Sequence, residues 1–248
     1  MDNRLRKSVI HRYTSAMQQS KQQTMPTEQN FYHTLNRGVD RREIFLDKQD
    51  YLRFIHNLYE LNNEDRVETT FHTLKEDPNL TDFASRKQRK ILVDILAFCL
   101  MPNHYHLLLS PRVEGGIPKF MSKINIGHAK YFNQKYKRVG TLFQGRYKQV
   151  TVTDETHFLH LPFYIHFNPL DLSYPEWREN RITNPKGVLE FLKSYLWSSH
   201  LDYLGIKNFP SMLNMSHLMD IFGSHEDYAK LVENYLKDTQ IDKEVAIE

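Results

Sequence analysis

Between Ile91 and Ser110 the chain reads ILVDILAFCLMPNHYHLLLS, two apolar runs broken only by Pro102-Asn103. The first run is apolar and β-branched at its start, the mark of a buried strand. Proline followed by asparagine reverses the chain, and HYHLLLS continues as a second strand. An antiparallel hairpin over 91–110 is therefore predicted, and every other element has to be arranged around it.

The flanking segments supply those elements. NFYHTLNRGVD (30–40) alternates Phe31, His33 and Leu35 with Tyr32 and Thr34, and Asn36-Arg37-Gly38 ends it as a turn. Asp47 is placed to cap a helix through Tyr51, Phe54, Ile55, Leu58 and Leu61, spaced three and four apart. Residues 62–90 are polar and read as an inserted loop or weak helix. Gly115-Gly116 opens a helix over 117–137, and Gly140 ends it. YKQVTV (147–152) is a short strand, and Thr153-Asp154-Glu155 starts a helix stopped by Asn168-Pro169. The order strand, helix, strand, strand, helix, strand, helix predicts an α+β fold, a ferredoxin/RRM-like antiparallel sheet with helices on one face. Residues 173–248 are Pro-punctuated and then helical, and are read as a C-terminal extension of the domain over 27–172. Residues 1–26 read as a basic flexible tail.

Composition narrows the class. One cysteine, Cys99, excludes a disulfide framework and suits a reducing, cytoplasmic compartment. Apolar residues at 40% and charged residues at 25% exclude a wholly disordered chain. No stretch of about 18 apolar residues is present, so no membrane span is expected. The N-terminal residues also lack the apolar run of a secretory signal. The net charge of +3 says little until it is divided. Residues 119–149 hold eight Lys and Arg with no acid, interleaved with six aromatics, while 206–248 hold four Lys against eight acids. Basic residues mixed with aromatics can pair with phosphates and stack on unpaired bases, although a solvated amphipathic helix gives the same pattern.

Two constellations bear on chemistry. His104 and His106 share one strand face, where two neutral imidazoles can hold one metal ion. With 13 histidines in the chain the bare pair is uninformative, and two solvated strand-end rings are the plainer reading. Context strengthens the pair, because it opens an apolar strand where paired rings need a partner. Tyr164 and Asn168, at i and i+4, share one helical face. A tyrosine hydroxyl can attack phosphorus, and an asparagine carbonyl is an acceptable oxygen ligand for Mg²⁺ or Mn²⁺. A helical tyrosine is also commonly a packing residue. His160 and His166, nearby, fit structural or supporting roles.

Taken together, HTLNRGVDRREIF (33–45), MPNHYHLLL (101–109), GTLFQGRYK (140–148), YIHFNPL (164–170) and WSSHLDYLG (197–205) resemble the single-tyrosine HUH transposases of insertion sequences. Within that family they look closest to the REP-associated tyrosine transposases. The resemblance implies that His104 and His106 hold a divalent ion, Mg²⁺ or Mn²⁺, with Asn168 as third ligand. It implies that Tyr164 is the nucleophile. It further implies action on single-stranded or hairpin DNA, with cleavage of one strand to a 5′-phosphotyrosine and a free 3′-OH, and rejoining by the reverse attack. The DNA contacts expected from charge and position are Arg37, Lys119, Lys123, Lys130, Lys135, Arg138, Arg146, Tyr147 and Lys148. Of these, Lys119, Lys123 and Lys130 would hold a hairpin stem. A nucleoid-associated protein is implied, and a homodimer is left open.

The sequence departs from that pattern at three places. Pro162 stands inside the tyrosine helix and removes a backbone hydrogen bond. Phe163 stands where relatives often carry a polar or basic residue. Leu170-Asp171-Leu172 replaces a common Val-Arg-Ala, which removes an expected arginine contact. The competing readings are a DNA-hairpin-binding regulator that has lost cutting, an RNA-binding protein on the same sheet, and a metal-binding structural domain. RNA binders of that sheet show aromatics on the central strands, where this chain has histidines.

Overall fold

A computed structural model describes residues 30–65, 89–179 and 181–238. The tail at 1–26 and most of the 62–90 segment lie outside them. Four strands form one sheet: β1 Phe31–Arg37, β2 Val93–Met101, β3 His104–Pro111 and β4 Lys148–Val152. Their order is β2-β3-β1-β4, with every neighbouring pair antiparallel. This is the split β-α-β arrangement of a ferredoxin-like sheet, so the α+β expectation holds. β2 and β3 are the predicted hairpin, with Met101 paired to His104 across the Pro-Asn turn.

Two crossover helices, α1 Lys48–Glu60 and α2 Gly116–Lys135, cover one face. Asp47 caps α1 by accepting from the Asp50 N–H, and Asp50 completes a capping box. Tyr51, Phe54, Ile55 and Leu58 bury the inner side of α1 against Phe98, Leu100, Tyr105 and Leu107 of the sheet. The other face is covered as well. A third helix, α3 Glu155–Phe167, packs there on Ala97, Cys99, Met101 and Leu108. The expectation of helices on one face therefore describes the two crossovers, and α3 with the C-terminal helices supplies a second layer. Strands buried on both sides explain why 91–101 reads as a continuous apolar run.

After α3 come α4 Pro185–Ser194, α5 His200–Tyr203, α6 Ser216–Phe222 and α7 His225–Asp238. They share one core with α3, in which Phe163 lies against the rings of Phe222, Tyr228 and Tyr235. A phenylalanine at 163 thus anchors the C-terminal helices. Residues 197–199 run beside β2: Leu100 donates to the Trp197 carbonyl at 2.8 Å, and Ser199 to the Phe98 carbonyl at 3.0 Å. That covers a sheet edge which would otherwise expose unpaired backbone.

Three core histidines tie these layers together without taking part in the site described below. His128 Nε2 lies 2.8 Å from the Ile44 carbonyl. His166 sits between the Tyr228 hydroxyl and Ser199 Oγ, both at 2.7 Å, and His200 reaches the same Tyr228 hydroxyl at 2.9 Å. Burial pushes His128 down to about 4 and His200 to about 3, and holds His166 well below its ordinary value. Each stays neutral in the fold while its unfolded counterpart takes a proton below about 6.5. Stability is therefore full above that pH and falls as pH drops toward the folded values. Each ring costs up to about 1.4 kcal/mol per pH unit over that interval. Acid unfolding followed by circular dichroism is expected to have its midpoint above about pH 4. Stability to urea that stays flat between about pH 6.5 and about pH 4 would show that these rings do not carry the penalty.

Candidate active site

The strand register assembles the site. Arg37 of β1 pairs with His104 of β3, and Leu35 pairs with His106. Paired residues point to the same side of a sheet, so His33, Leu35, Arg37, His104 and His106 all face α3. Tyr105 points the opposite way and donates to Asn125 Oδ1 at 2.8 Å. From α3, Tyr164 closes over the histidines, its ring centre 5.7 Å from that of His106 and 6.0 Å from that of His33. The helix runs unbroken through Pro162, so the proline does not remove the tyrosine from the sheet. Asn168 follows one turn on and keeps right-handed helical geometry, its amide donating to the Tyr164 carbonyl at 2.8 Å. The structure thus brings together His104, His106, Tyr164 and Asn168.

The histidines are neutral and directional. Burial lowers His104 to about 4, with the Arg37 guanidinium adding to the effect. Burial, then the neighbouring rings of His104 and His33, holds His106 far below the ordinary range. His104 Nδ1 lies 2.6 Å from Asn103 Oδ1. Asn103 is oriented by its own Nδ2, which donates to the Arg41 carbonyl at 3.2 Å. An amide oxygen only accepts, so the proton of neutral His104 is on Nδ1 and its Nε2 carries a lone pair. The Nε2 atoms of both His104 and His106 are buried with no hydrogen-bond partner among the described residues.

Sequence reasoning missed four contributors. His33, fully buried, meets His106 Nδ1 with its Nε2 at 2.9 Å. Its signal was a histidine on an otherwise apolar strand face, where a polar ring needs a partner. Asn103 was read only as a turn residue. Arg178, from the 3₁₀ turn Pro175–Glu179, lies with Cζ 5.6 Å from the Tyr164 ring centre and donates to Asn168 Oδ1 at 3.4 Å. Asp171 grips that guanidinium through both carboxylate oxygens at 2.8 and 2.7 Å. Burial works against the charge on Arg178, and Asp171 more than offsets it. An arginine therefore reaches the tyrosine, although Asp171 occupies the position where an arginine was expected. No local pattern announces this, because the pair forms across seven residues.

The basic block divides in space. Lys119, Lys123, Lys130 and Lys135 all lie on α2, across the sheet from Tyr164. Lys119 pairs with Glu64 at 3.7 Å, and Lys123 donates to the backbone carbonyls of Asn63 and Asp65. Lys135 is drawn into the Asp47 and Asp50 carboxylates at 2.7 Å, so it presents no unpaired charge to a ligand. Arg138 bonds Asn133 at 3.0 Å, while Lys130 is exposed. The 140–148 segment returns to the site end, held by the Val39 N–H donating to Leu142 and the Gln144 N–H donating to Arg37. Arg146 is exposed there, and Tyr147 packs against the α1/α2 core. Lys148 pairs with Leu35, in one row with His106, and is exposed on the site face. Outside the site, His166 belongs to the core network above and His160 contacts the Tyr235 hydroxyl at 2.8 Å.

Among the described residues no group of three or more His, Cys, Asp or Glu is arranged to hold a metal ion, and no helix is long and apolar enough to cross a membrane. The candidate donor set consists instead of two imidazoles and an amide.

No curated protein matches the chain. A solved structure described as "Structure of the REP associates tyrosine transposase bound to a REP hairpin" is similar at 11% identity and a TM-score of 0.42, over 78% of this chain and 89% of that one. The family model described as "Transposase IS200 like" matches residues 26–168, a span running from the start of β1 through the histidine pair and the tyrosine to Asn168. With more than half of its length matched by that one family, the chain belongs to the IS200-like transposases.

Proposed function

We propose that this transposase cleaves and rejoins single-stranded DNA through Tyr164, with a divalent ion at His104, His106 and Asn168. The observation that carries the reading is the pair of buried, unpartnered Nε2 atoms on neutral rings directly under a tyrosine. Burying such atoms without a partner is unfavourable, and a cation is a partner that imidazole lone pairs accept. The donor set fits Mg²⁺ or Mn²⁺, and Asn168 Oδ1 has a second lone pair besides the one facing Arg178. When bound, the ion supplies Lewis-acid polarisation of the scissile phosphate.

The chain's own residues do the rest. Tyr164 Oη attacks phosphorus, an O–P bond forms, and the P–O3′ bond breaks. The phenolic proton ends on the 3′ oxygen, leaving a 5′-phosphotyrosine and a 3′-OH. Bond energy is conserved in the phosphotyrosine, so attack by a 3′-OH rejoins the strand with no nucleotide cofactor. Arg37 flanks the histidines and offsets phosphate charge, and Arg146 and Lys148 continue the positive surface on the site face. Tyr164 is only 1% exposed beneath Arg178, so a phosphate reaches it once the Asp171–Arg178 pair moves aside. That burial also favours a second reading, a DNA-hairpin-binding regulator that does not cut.

Incubation of the full chain with labelled single-stranded hairpin DNA and Mg²⁺ or Mn²⁺ separates the two. An SDS-stable protein–DNA adduct is expected. Hairpin binding with no adduct in either metal, across varied sequences, would leave the regulator.

A further inference from the structure

We infer that His33 is a positioning residue that accepts the His106 Nδ1 proton when a cation is bound, so that His106 Nε2 offers a lone pair instead of a proton. The inference rests on the metal-site reading above and concerns a residue that touches neither ion nor DNA. His33 sits on β1 and His106 on β3, side by side on one face through the Leu35–His106 and His33–Leu108 pairings. Their ring planes lie 27° apart with centres 5.1 Å from one another, and the rings meet nitrogen to nitrogen at 2.9 Å. Both rings are fully buried. Two neutral imidazoles meeting this way share a single proton.

The two placements of that proton differ in consequence. If His33 Nε2 donates, the His106 proton is on Nε2 and no lone pair faces the site. If His106 Nδ1 donates, Nε2 is free to bind and His33 carries its proton on Nδ1. His33 Nδ1 and His106 Nε2 are both buried without a hydrogen-bond partner among the described residues. Each placement therefore leaves one unpaired N–H, and the pair by itself is close to balance. A cation at His106 Nε2 breaks the tie toward donation by His106. His104 needs no such decision, because Asn103 Oδ1 only accepts. With the ion bound, His33 thus accepts from one ring as Asn103 accepts from the other, and each Nε2 faces the site with a lone pair.

The test compares the full-length chain with His33→Phe, which keeps an aromatic ring but removes the acceptor. Mn²⁺ binding is read by electron paramagnetic resonance of the free ion, without DNA. Affinity is expected to fall about 10- to 100-fold in His33→Phe, the usual loss for an outer partner of a metal ligand. Melting in EDTA and hairpin affinity in EDTA should stay near wild type. Independently, two-bond ¹H–¹⁵N spectra of Mg²⁺-loaded wild type should place the His106 proton on Nδ1, which holds even if the variant fails to fold. Wild-type affinity in His33→Phe, or a His106 proton on Nε2 in the loaded wild type, overturns this inference alone. No Mn²⁺ binding by the wild type overturns the metal-site reading and this inference with it.

Discussion

Tyr164→Phe is expected to reduce the covalent protein–DNA adduct to background, a loss of at least about 10³-fold. The phenyl ring fills the same space beside His33, His106 and Trp177, so the packing of α3 is kept. What disappears is the tyrosine oxygen proposed above as the nucleophile, over the histidine pair. Melting temperature and hairpin affinity should therefore change little, and denaturing gels of labelled DNA read the loss directly. An adduct that survives would assign the nucleophile to another of the 14 tyrosines in the chain.

His106→Ala is expected to lower metal-dependent cleavage by about 10²- to 10⁴-fold while hairpin binding persists. The two effects separate because the exposed cations Arg146 and Lys148 lie outside the donor set. His106 is fully buried, so the alanine also leaves a cavity that costs about 2–4 kcal/mol. Cleavage and binding are therefore compared at a temperature where the variant is folded by circular dichroism. Loss of hairpin binding by the folded variant would make His106 part of the DNA surface. Unchanged cleavage would remove the metal from the reaction.

The elements were legible because their signals are local. The apolar run at 91–101 and the Pro102-Asn103 reversal gave β2 and β3, and the Asp47 cap gave α1, each within a residue or two of its observed bounds. His104 and His106 were legible as a same-face pair by strand period, and Tyr164 with Asn168 by helical period. Charge was the least transferable signal. Residues 119–149 form one basic block in the chain, yet α2 carries half of its cations to the face away from Tyr164, and Lys135 satisfies two carboxylates. Composition counts charges along the chain, and only the fold assigns them to a face.

From the sequence alone came the order of elements and the α+β class, set by periodicity and turn chemistry over a few residues, while His104, His106, Tyr164 and Asn168 were singled out by the resemblance of the ordered motifs to a family. The tertiary structure decided that α3 lies on the face opposite the crossovers, where Tyr164 meets the histidines. It also decided that His33 borders His106 across 73 residues of chain and that Asp171 delivers Arg178 to the tyrosine. Those contacts depend on strand register and on which helix covers which face. Such choices are settled by burying apolar surface throughout the molecule, so no local stretch of sequence encodes them.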